Sequence, residues 1–372
     1  MKFDLPKLDK IQPVLQKLQE KAGPLLGKLG GMKSGAAAKE GPVRAVACDY
    51  GASKILVLDL EKSAAGISVQ NFKIVRRPKE SGKSADALKE AFAGISPEKV
   101  HISVKGQSVI IRFIQFPKMS PAELRSAIAY EAENYIPFKL DEVILDFHIL
   151  GERKSDNAAV LLDLLLIAVK KEEIYPLIKD FQDADISIGL IDVDILASLN
   201  ALEYLHPEEF KTGAIAFLDI GDEISSLSIV LDGKPRFIRD ISFGGKDIAK
   251  RLRRKLGMTQ EDAEKTLEGG SAATPESKQV LVEAVETLCS DLKVTLDYYL
   301  GQVTDARPVQ KIYLGGGGGD LQVVGSILQQ QLGIPSELMK ADKLILAPGM
   351  DRALFEKNQR LIPVALGLCL RN

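Results

Sequence analysis

The chain has 372 residues, enough for two or three domains with cores of their own. Its 45% apolar and 27% charged composition is that of a folded globular protein, which sets aside a disordered or membrane-embedded chain. A net charge of -2 gives no global field to attract nucleic acid. Met1 to Leu29 places Ile11, Val14, Leu15, Leu18, Ala22, Leu25, Leu26 and Leu29 at helical spacing, with Pro24 breaking the pattern. Gly30 to Gly41 is rich in Gly, Ala, Lys and Ser and reads as a linker. Residues 1–41 are therefore expected to be an amphipathic arm and linker, folded on their own protein or docked on a membrane surface or partner.

Val43 to Cys48, Ile55 to Leu60 and Ile67 to Val75 read as three strands, with Asp49 and Gly51 in the first turn. A helix is expected over Ala85 to Phe92, then a strand pair, Lys99 to Val104 and Ser108 to Gln115, around Gly106. Ser120 is a natural N-cap, with Pro121 at the first helical position and Glu123 three residues on. That helix should run to about Tyr135 and stop before Pro137, and Val143 to Leu150 alternates as a strand. Val160 to Val169 is a continuous apolar run suited to a strand buried on both faces. Lys171 to Gln182 and Asp194 to Tyr204 read as helices around a strand at Ile186 to Val193, an alternation that suggests parallel crossovers. The opening layout then recurs: Ala214 to Leu218, Asp219 and Gly221, Leu227 to Leu231, a turn at Asp232-Gly233, Arg236 to Ile241. Lys246 to Leu256, Thr259 to Leu267 and Pro275 to about Leu300 are helical, with a loop at Gly269 to Thr274. Lys311 to Leu314 is a short strand, Leu321 to Leu332 a helix, and Arg360 to Leu370 an apolar helix expected to pack on the second half. Two copies of one unit imply two similar halves with a cleft between them.

Asp-x-Gly turns after strands, with a late glycine run before a helix, can surround a nucleotide. Glycine lets backbone N–H groups approach phosphate oxygens, and the helix N-terminus adds a favourable dipole. Asp49 and Asp219 would then hold waters around Mg²⁺. Each Asp-x-Gly alone is common in hairpins, and Gly315 to Gly319 is neither a Walker loop nor a dinucleotide turn. The ordered set of three carries more weight than any member. Cys48, Cys289 and Cys369 lie far apart and suit buried thiols in a reducing compartment. His101, His148 and His206 have no HExxH-type spacing, which argues against histidine-centred metal chemistry. No secretory signal is visible, and the run from Ala158 to Val169, interrupted by Asp163, falls short of the roughly 20 residues that span a bilayer. The expectation is a cytoplasmic protein.

The order of these pieces resembles the actin/Hsp70/FtsA superfamily, and within it the PilM family of type IV pilus assembly proteins. The segment FPKMSPAELRSAIAYEAENYIPFKLDEVILDFHILGE, Phe116 to Glu152, is similar to that family's signature. RDISFGG (Arg239 to Gly245) and LGGGGGDL (Leu314 to Leu321) sit where the family has them. The resemblance covers about Val43 to the C-terminus. It implies an α/β, two-lobed actin-like fold of ribonuclease H-like repeats, with a small α+β subdomain inserted in the first lobe. The lobes would span 42–210 and 211–372, with the insertion at about 77–155. It implies a cytoplasmic protein peripheral to the inner membrane that binds the short cytoplasmic tail of PilN, a bitopic membrane protein. That tail would lie in a groove between the inserted subdomain and the first lobe, with Tyr130, Ile136, Pro137 and Phe138 as candidate contacts. Pilus ATPases and self-association are further partners to consider, and membrane association would be indirect or through the N-terminal segment.

For ATP and Mg²⁺ the resemblance matches Asp49 and Gly51, with Ser53 and Lys54, to the first phosphate turn. Asp219 and Gly221 match the second turn, and Gly244 and Gly245 the glycine pair after it. Glu264 matches the acidic residue that reaches the ribose, and Gly315, Gly316 and Gly317 match the adenosine-side turn. Two departures weigh against a nucleotide. The family's first turn reads Asp-x-Gly-Ser-Ser-x-x-Lys, whereas here Ala52 replaces a hydroxyl and Leu56 stands at the lysine position, with Lys54 two residues early. The second turn continues with Asp222 and Glu223, whose charges would repel a polyphosphate. Nucleotide-bearing and retired sites both stay open on this reading. No general base can be placed, so the leading expectation is a scaffold rather than an enzyme. An ATPase or phosphotransferase of the same superfamily, or a GspL-like type II secretion component, is the alternative, and an FtsA-type division protein fits less well. Lys2-Phe3-Asp4-Leu5-Pro6 resembles the kind of tail PilN presents, which suggests that it occupies the groove of its own or a neighbouring molecule.

Overall fold

A meander of three antiparallel strands is used twice in this chain, and each copy forms one side of a lobe. The computed structural model describes residues 42–78, 80, 82–105, 109–154, 159–267 and 274–371. The amphipathic arm, the linker, the Lys2–Pro6 motif, Gly106 and the loop residues 269–273 lie outside the described residues.

The first lobe begins with β1 (Val43–Tyr50), β2 (Lys54–Ser63) and β3 (Gly66–Arg76), followed by α1 (Ser84–Ala91) and β4 (Val100–Val104). The chain then makes a separate sheet from β5 (Val109–Pro117), β6 (Val143–Lys154) and β7 (Val160–Lys170), with α2 (Pro121–Glu131) between β5 and β6. It returns through α3 (Lys171–Asp183), β8 (Ile188–Val193) and α4 (Asp194–Leu205), and the short α5 (Pro207–Lys211) leads on. The second lobe contains β9 (Ala214–Ile220), β10 (Ser225–Leu231), β11 (Lys234–Ile241), α6 (Gly245–Leu256), α7 (Gln260–Leu267) and α8 (Pro275–Gln302). It continues with β12 (Lys311–Gly315), α9 (Leu321–Leu332) and β13 (Ser336–Leu338). The chain ends with β14 (Ile345–Leu346), α10 (Arg352–Lys357) and α11 (Ile362–Leu370).

The first-lobe sheet has the order β14-β3-β2-β1-β4-β8 and the second-lobe sheet β11-β10-β9-β12-β13. From the meander outward the two match strand for strand. β4 pairs parallel to β1, and β12 parallel to β9. The turns match as well: Gly51 N–H donates to the Lys54 carbonyl at 2.9 Å, and Gly221 N–H to the Ile224 carbonyl at 3.1 Å. A side chain at either glycine would meet that same carbonyl oxygen, at 2.7 Å and 2.6 Å. Both turns therefore require glycine for close backbone approach. β9 is buried along nearly its whole length, as a central strand covered on both faces must be.

Four expectations change. The strands ending at Val104 and starting at Val109 do not pair with each other. β4 enters the parallel sheet between β1 and β8, and β5 pairs with β7. The insertion expected at about 77–155 is 109–170, because β7 is the middle strand of its sheet, order β5-β7-β6. β7 is buried on both faces, but for a different reason from the one expected of a parallel strand. Leu162, Leu164, Leu166 and Ala168 face α2 within the subdomain core, and Leu165, Ile167 and Val169 join the core of the first lobe. The C-terminal region does not stay with the second lobe. β14 pairs with β3, and α11 packs on α4, β1 and β2.

Candidate functional site

Parallel strands end on the same edge of their sheet, and ligands in open α/β sheets gather beyond those carboxyl ends. Here β1 delivers Asp49, β4 delivers Lys105, and β8 delivers Asp194 as the first residue of α4. In the second lobe β9 delivers Asp219 and Gly221, and β12 leads to Gly316 and Gly317. All of these line one cavity of about 270 Å³ between the lobes. Ser53, Lys54, Arg77, Asp222 and Glu223 also line it.

At its floor Lys105 Nζ lies 3.5 Å from Asp49 Oδ1, and about a third of the Lys105 side chain, 34%, faces open space. Asp194 is 6% exposed and accepts a hydrogen bond from Ile195 N–H at 2.7 Å. Burial, offset by Lys105 and reinforced by Asp219, pushes the Asp194 carboxyl up to about 8. Burial, again offset by Lys105 and reinforced by Asp49, pushes Asp219 up to about 6. Burial works against the Lys105 ammonium, but Asp49, Asp194 and Asp219 outweigh it and hold the group above its ordinary range. Lys105 thus faces Asp49, Asp194 and Asp219 at the floor, and Lys54, Arg77 and Arg360 bring further positive charge to the same cavity.

The donor set is the test of whether Mg²⁺ fits. Among the described residues no group of three His, Cys, Asp or Glu is placed to ligate a metal directly. A cation that keeps its waters, as Mg²⁺ does, suits carboxylates spread across two lobes. The residues fit the ion in that form: Asp49 and Asp219 would hold its waters, and Lys105 would hold a phosphate oxygen. The first turn is braced from the side. Arg77 stacks its guanidinium 3.9 Å above the Tyr50 ring and donates to the Gly51 carbonyl at 3.1 Å, while Tyr50 Oη donates to Asp180 at 2.7 Å. Lys54 lines the cavity, whereas Leu56, where the resemblance places lysine, is buried in the core. The repulsion expected of Asp222 and Glu223 is offset locally, since Lys246 pairs with Glu223 and, at 3.4 Å, with Asp222.

Four of the expected nucleotide residues lie outside the lining: Gly244, Gly245, Glu264 and Gly315. Gly245 and Lys246 hold the second turn in place, and Gly244 lets it approach, since a Cβ there would meet the Asp222 carbonyl oxygen at 2.5 Å. Gly245 N–H donates to the Gly221 carbonyl at 2.9 Å, and Lys246 N–H to the Asp222 carbonyl at 2.8 Å. Gly315 is buried, and a side chain there would meet the Phe217 ring at 2.7 Å. Glu264 is paired across the lobes with Arg76 at 2.5 Å. Gly316 has φ +100°, and a Cβ would strike the Ile220 carbonyl. Lys105 and Asp194 carry no sequence motif. Their one signal is position, each being the first residue after a strand.

The partner candidates separate too. Tyr130 on α2 is 88% exposed, whereas Ile136 is packed in the subdomain core. Pro137 is exposed, and Phe138 is half-buried beneath Lys170 Nζ, 4.6 Å from its ring centre. Lys171, at the start of α3, donates to the Asp141 carbonyl at 2.7 Å, so this loop lies on the seam between subdomain and first lobe.

Comparison with known proteins agrees with this architecture. A solved structure described as a PilM-PilN type IV pilus biogenesis complex is 25% identical, with a TM-score of 0.76, covering 88% of this chain and 98% of that chain. The ethanolamine utilization protein EutJ from Carboxydothermus hydrogenoformans is 13% identical, with a TM-score of 0.54, covering 98% and 99%, a likeness of fold alone. The fold is the two-lobed actin-like one. A family model described as type IV pilus assembly protein PilM matches residues 47–372. The chain belongs to the PilM family of type IV pilus assembly proteins.

Proposed function

We propose that this chain is the actin-like scaffold of a type IV pilus assembly platform. It docks the cytoplasmic tail of a PilN-like membrane protein along the seam between the inserted subdomain and the first lobe. The likeness to the PilM-PilN complex, over nearly the whole of that chain, carries this reading. The seam supports it physically, since Pro137 is exposed there next to the half-buried Phe138, and Tyr130 on α2 of the same subdomain offers an exposed ring. Exposed aromatic side chains are favoured anchors for a peptide partner. No helix among the described residues is long and apolar enough to cross a membrane. In this reading the protein works on the cytoplasmic face of the inner membrane and is held there by its partner.

The cleft takes ATP with Mg²⁺, and the support for that is the two Asp-x-Gly turns that line it from opposite lobes, with Lys105 between them. Bound there, the ion would supply positive charge, and the polyphosphate a bridge between turns from opposite lobes. Asp49 and Asp219 orient the ion's waters, Gly51 and Gly221 keep the turns close, and Lys105 holds a phosphate oxygen. No residue in the cleft is assigned as a base, and turnover forms no part of the proposal.

The test is calorimetric titration with a synthetic peptide of the PilN-like partner's cytoplasmic tail. Wild type should bind it, and Tyr130→Ala together with Phe138→Ala should weaken binding by roughly tenfold or more. A wild-type protein that shows no binding to the tail would sink the reading.

A further inference from the structure

Lys105 reaches into the floor of the cleft from the end of β4, with Asp49, Asp194 and Asp219 as its electrostatic partners. Its Nζ is only 3.5 Å from Asp49, a loose ion pair rather than a tight hydrogen bond. About a third of its side chain is exposed, which leaves open space beside it, and Gly51 puts no side chain against Nζ. A lysine ammonium on a flexible four-carbon stem can swing between partners without moving the backbone.

We propose that Lys105 is a built-in counter-ion of the interlobe cleft, which a hydrated divalent cation displaces from the carboxylates and thereby turns toward a phosphate. The inference rests on the reading of the cleft as a Mg-nucleotide site. Lys105 and the divalent cation compete for the carboxylates of Asp49 and Asp219, so the lysine opposes binding of the bare ion. Once nucleotide accompanies the ion, the released ammonium gains a phosphate oxygen, and the lysine favours binding of the complex. One side chain therefore has effects of opposite sign on two ligands. A residue that merely held the fold together would move both in the same direction.

The experiment compares wild type with Lys105→Met. Mn²⁺ binding without nucleotide is followed by the electron paramagnetic resonance of the free ion, and MgATP binding by calorimetry. Lys105→Met should bind Mn²⁺ about tenfold or more tightly than wild type, because a like charge a few ångströms from the ion has been removed. It should bind MgATP roughly tenfold or more weakly, through loss of a charge-assisted hydrogen bond. Equal or weaker Mn²⁺ binding by Lys105→Met overturns the counter-ion role, and unchanged MgATP affinity overturns the transfer to phosphate. Should Lys105→Met melt early, its melting midpoint should climb with MgCl₂ more steeply than that of wild type, and parallel curves overturn the proposal. Wild type that fails to bind MgATP refutes the nucleotide reading itself. The Mn²⁺ comparison uses no nucleotide and decides the role of Lys105 separately.

Discussion

His148 lies on β6 with its Nδ1 buried and without a hydrogen-bond partner. Burial, with the Arg371 charge adding to it, pulls its pKa down to about 4 from an ordinary 6.5. The folded state therefore refuses a proton that the unfolded chain accepts. The stability linked to this group is complete above about pH 6.5 and is lost as pH falls through about 4. Denaturant melts of wild type at pH 7 and pH 4.5 should differ by a component of roughly 1–3 kcal/mol that His148→Gln lacks. An identical pH dependence in the variant would count against it. Residues of this kind show how far the sequence can be read at the scale of single side chains. Asp49 and Asp219 were legible because each opens an Asp-x-Gly turn and the turn occurs twice. Lys105 and Asp194 were not, since a single charged residue just past a strand has no pattern until the strands are known to be parallel neighbours. The charge partner of Asp222 and Glu223, Lys246, was hidden in the same way, because it lies beyond the intervening β10–β11 hairpin.

The elements were more legible than the contacts between them. At α2 the sequence carries its own start signal, and the structure contains it in full. Ser120 Oγ accepts from Glu123 N–H at 3.4 Å, Glu123 Oε2 accepts from Ser120 N–H at 2.9 Å, and Pro121 opens the helix. The helix lays Leu124 and Ile128 on the subdomain sheet and passes into a short 3₁₀ turn at Ala132–Asn134, close to the end expected before Pro137. Ser120→Ala removes the cap without touching that packing, and should cost about 1 kcal/mol in a denaturant titration with an unchanged slope. A loss many times larger would mean that the cap holds more than the helix end. Strand pairing was the opposite case. Lys99 to Val104 and Ser108 to Gln115 read as partners because they are neighbours in sequence with a glycine between them. In the fold each has a better partner elsewhere, since burial on both faces places β4 in the parallel sheet and antiparallel register with β7 claims β5.

At the scale of the molecule, the duplicated meander predicts two lobes, but nothing in an apolar helix says which lobe it covers. The last helix, α11, is buried at eight of its nine positions, so its pattern points to no particular face. It packs on the first lobe, with Cys369 Sγ within 3.6 Å of the Leu58 carbonyl and Gly367 against α4. There the backbones touch, because a Cβ at Gly367 would run into the carbonyl oxygen of Ala197. The inserted sheet makes a second bridge, this time to the other lobe. Asp163 on β7 pairs with Arg236 of β11 at 3.5 Å, as well as with Arg153 of its own sheet at 3.2 Å. The first lobe is thus completed by the end of the chain, and its stability depends on a contact made some 300 residues after β1 begins. Gly367→Ala should force α11 away from α4 and cost about 1–3 kcal/mol, as overpacking of a close contact does. The loss should be local in hydrogen exchange. Amides of β1, β2 and α4 should lose protection while those of α6 and α8 keep theirs, because α11 shares its core with β1, β2 and α4, whereas α6 and α8 pack in the second-lobe cluster of Ala216, Leu218 and Leu227. Equal loss of protection in both lobes would mean that they unfold as one unit, and that α11 stabilises the whole molecule rather than the lobe it covers.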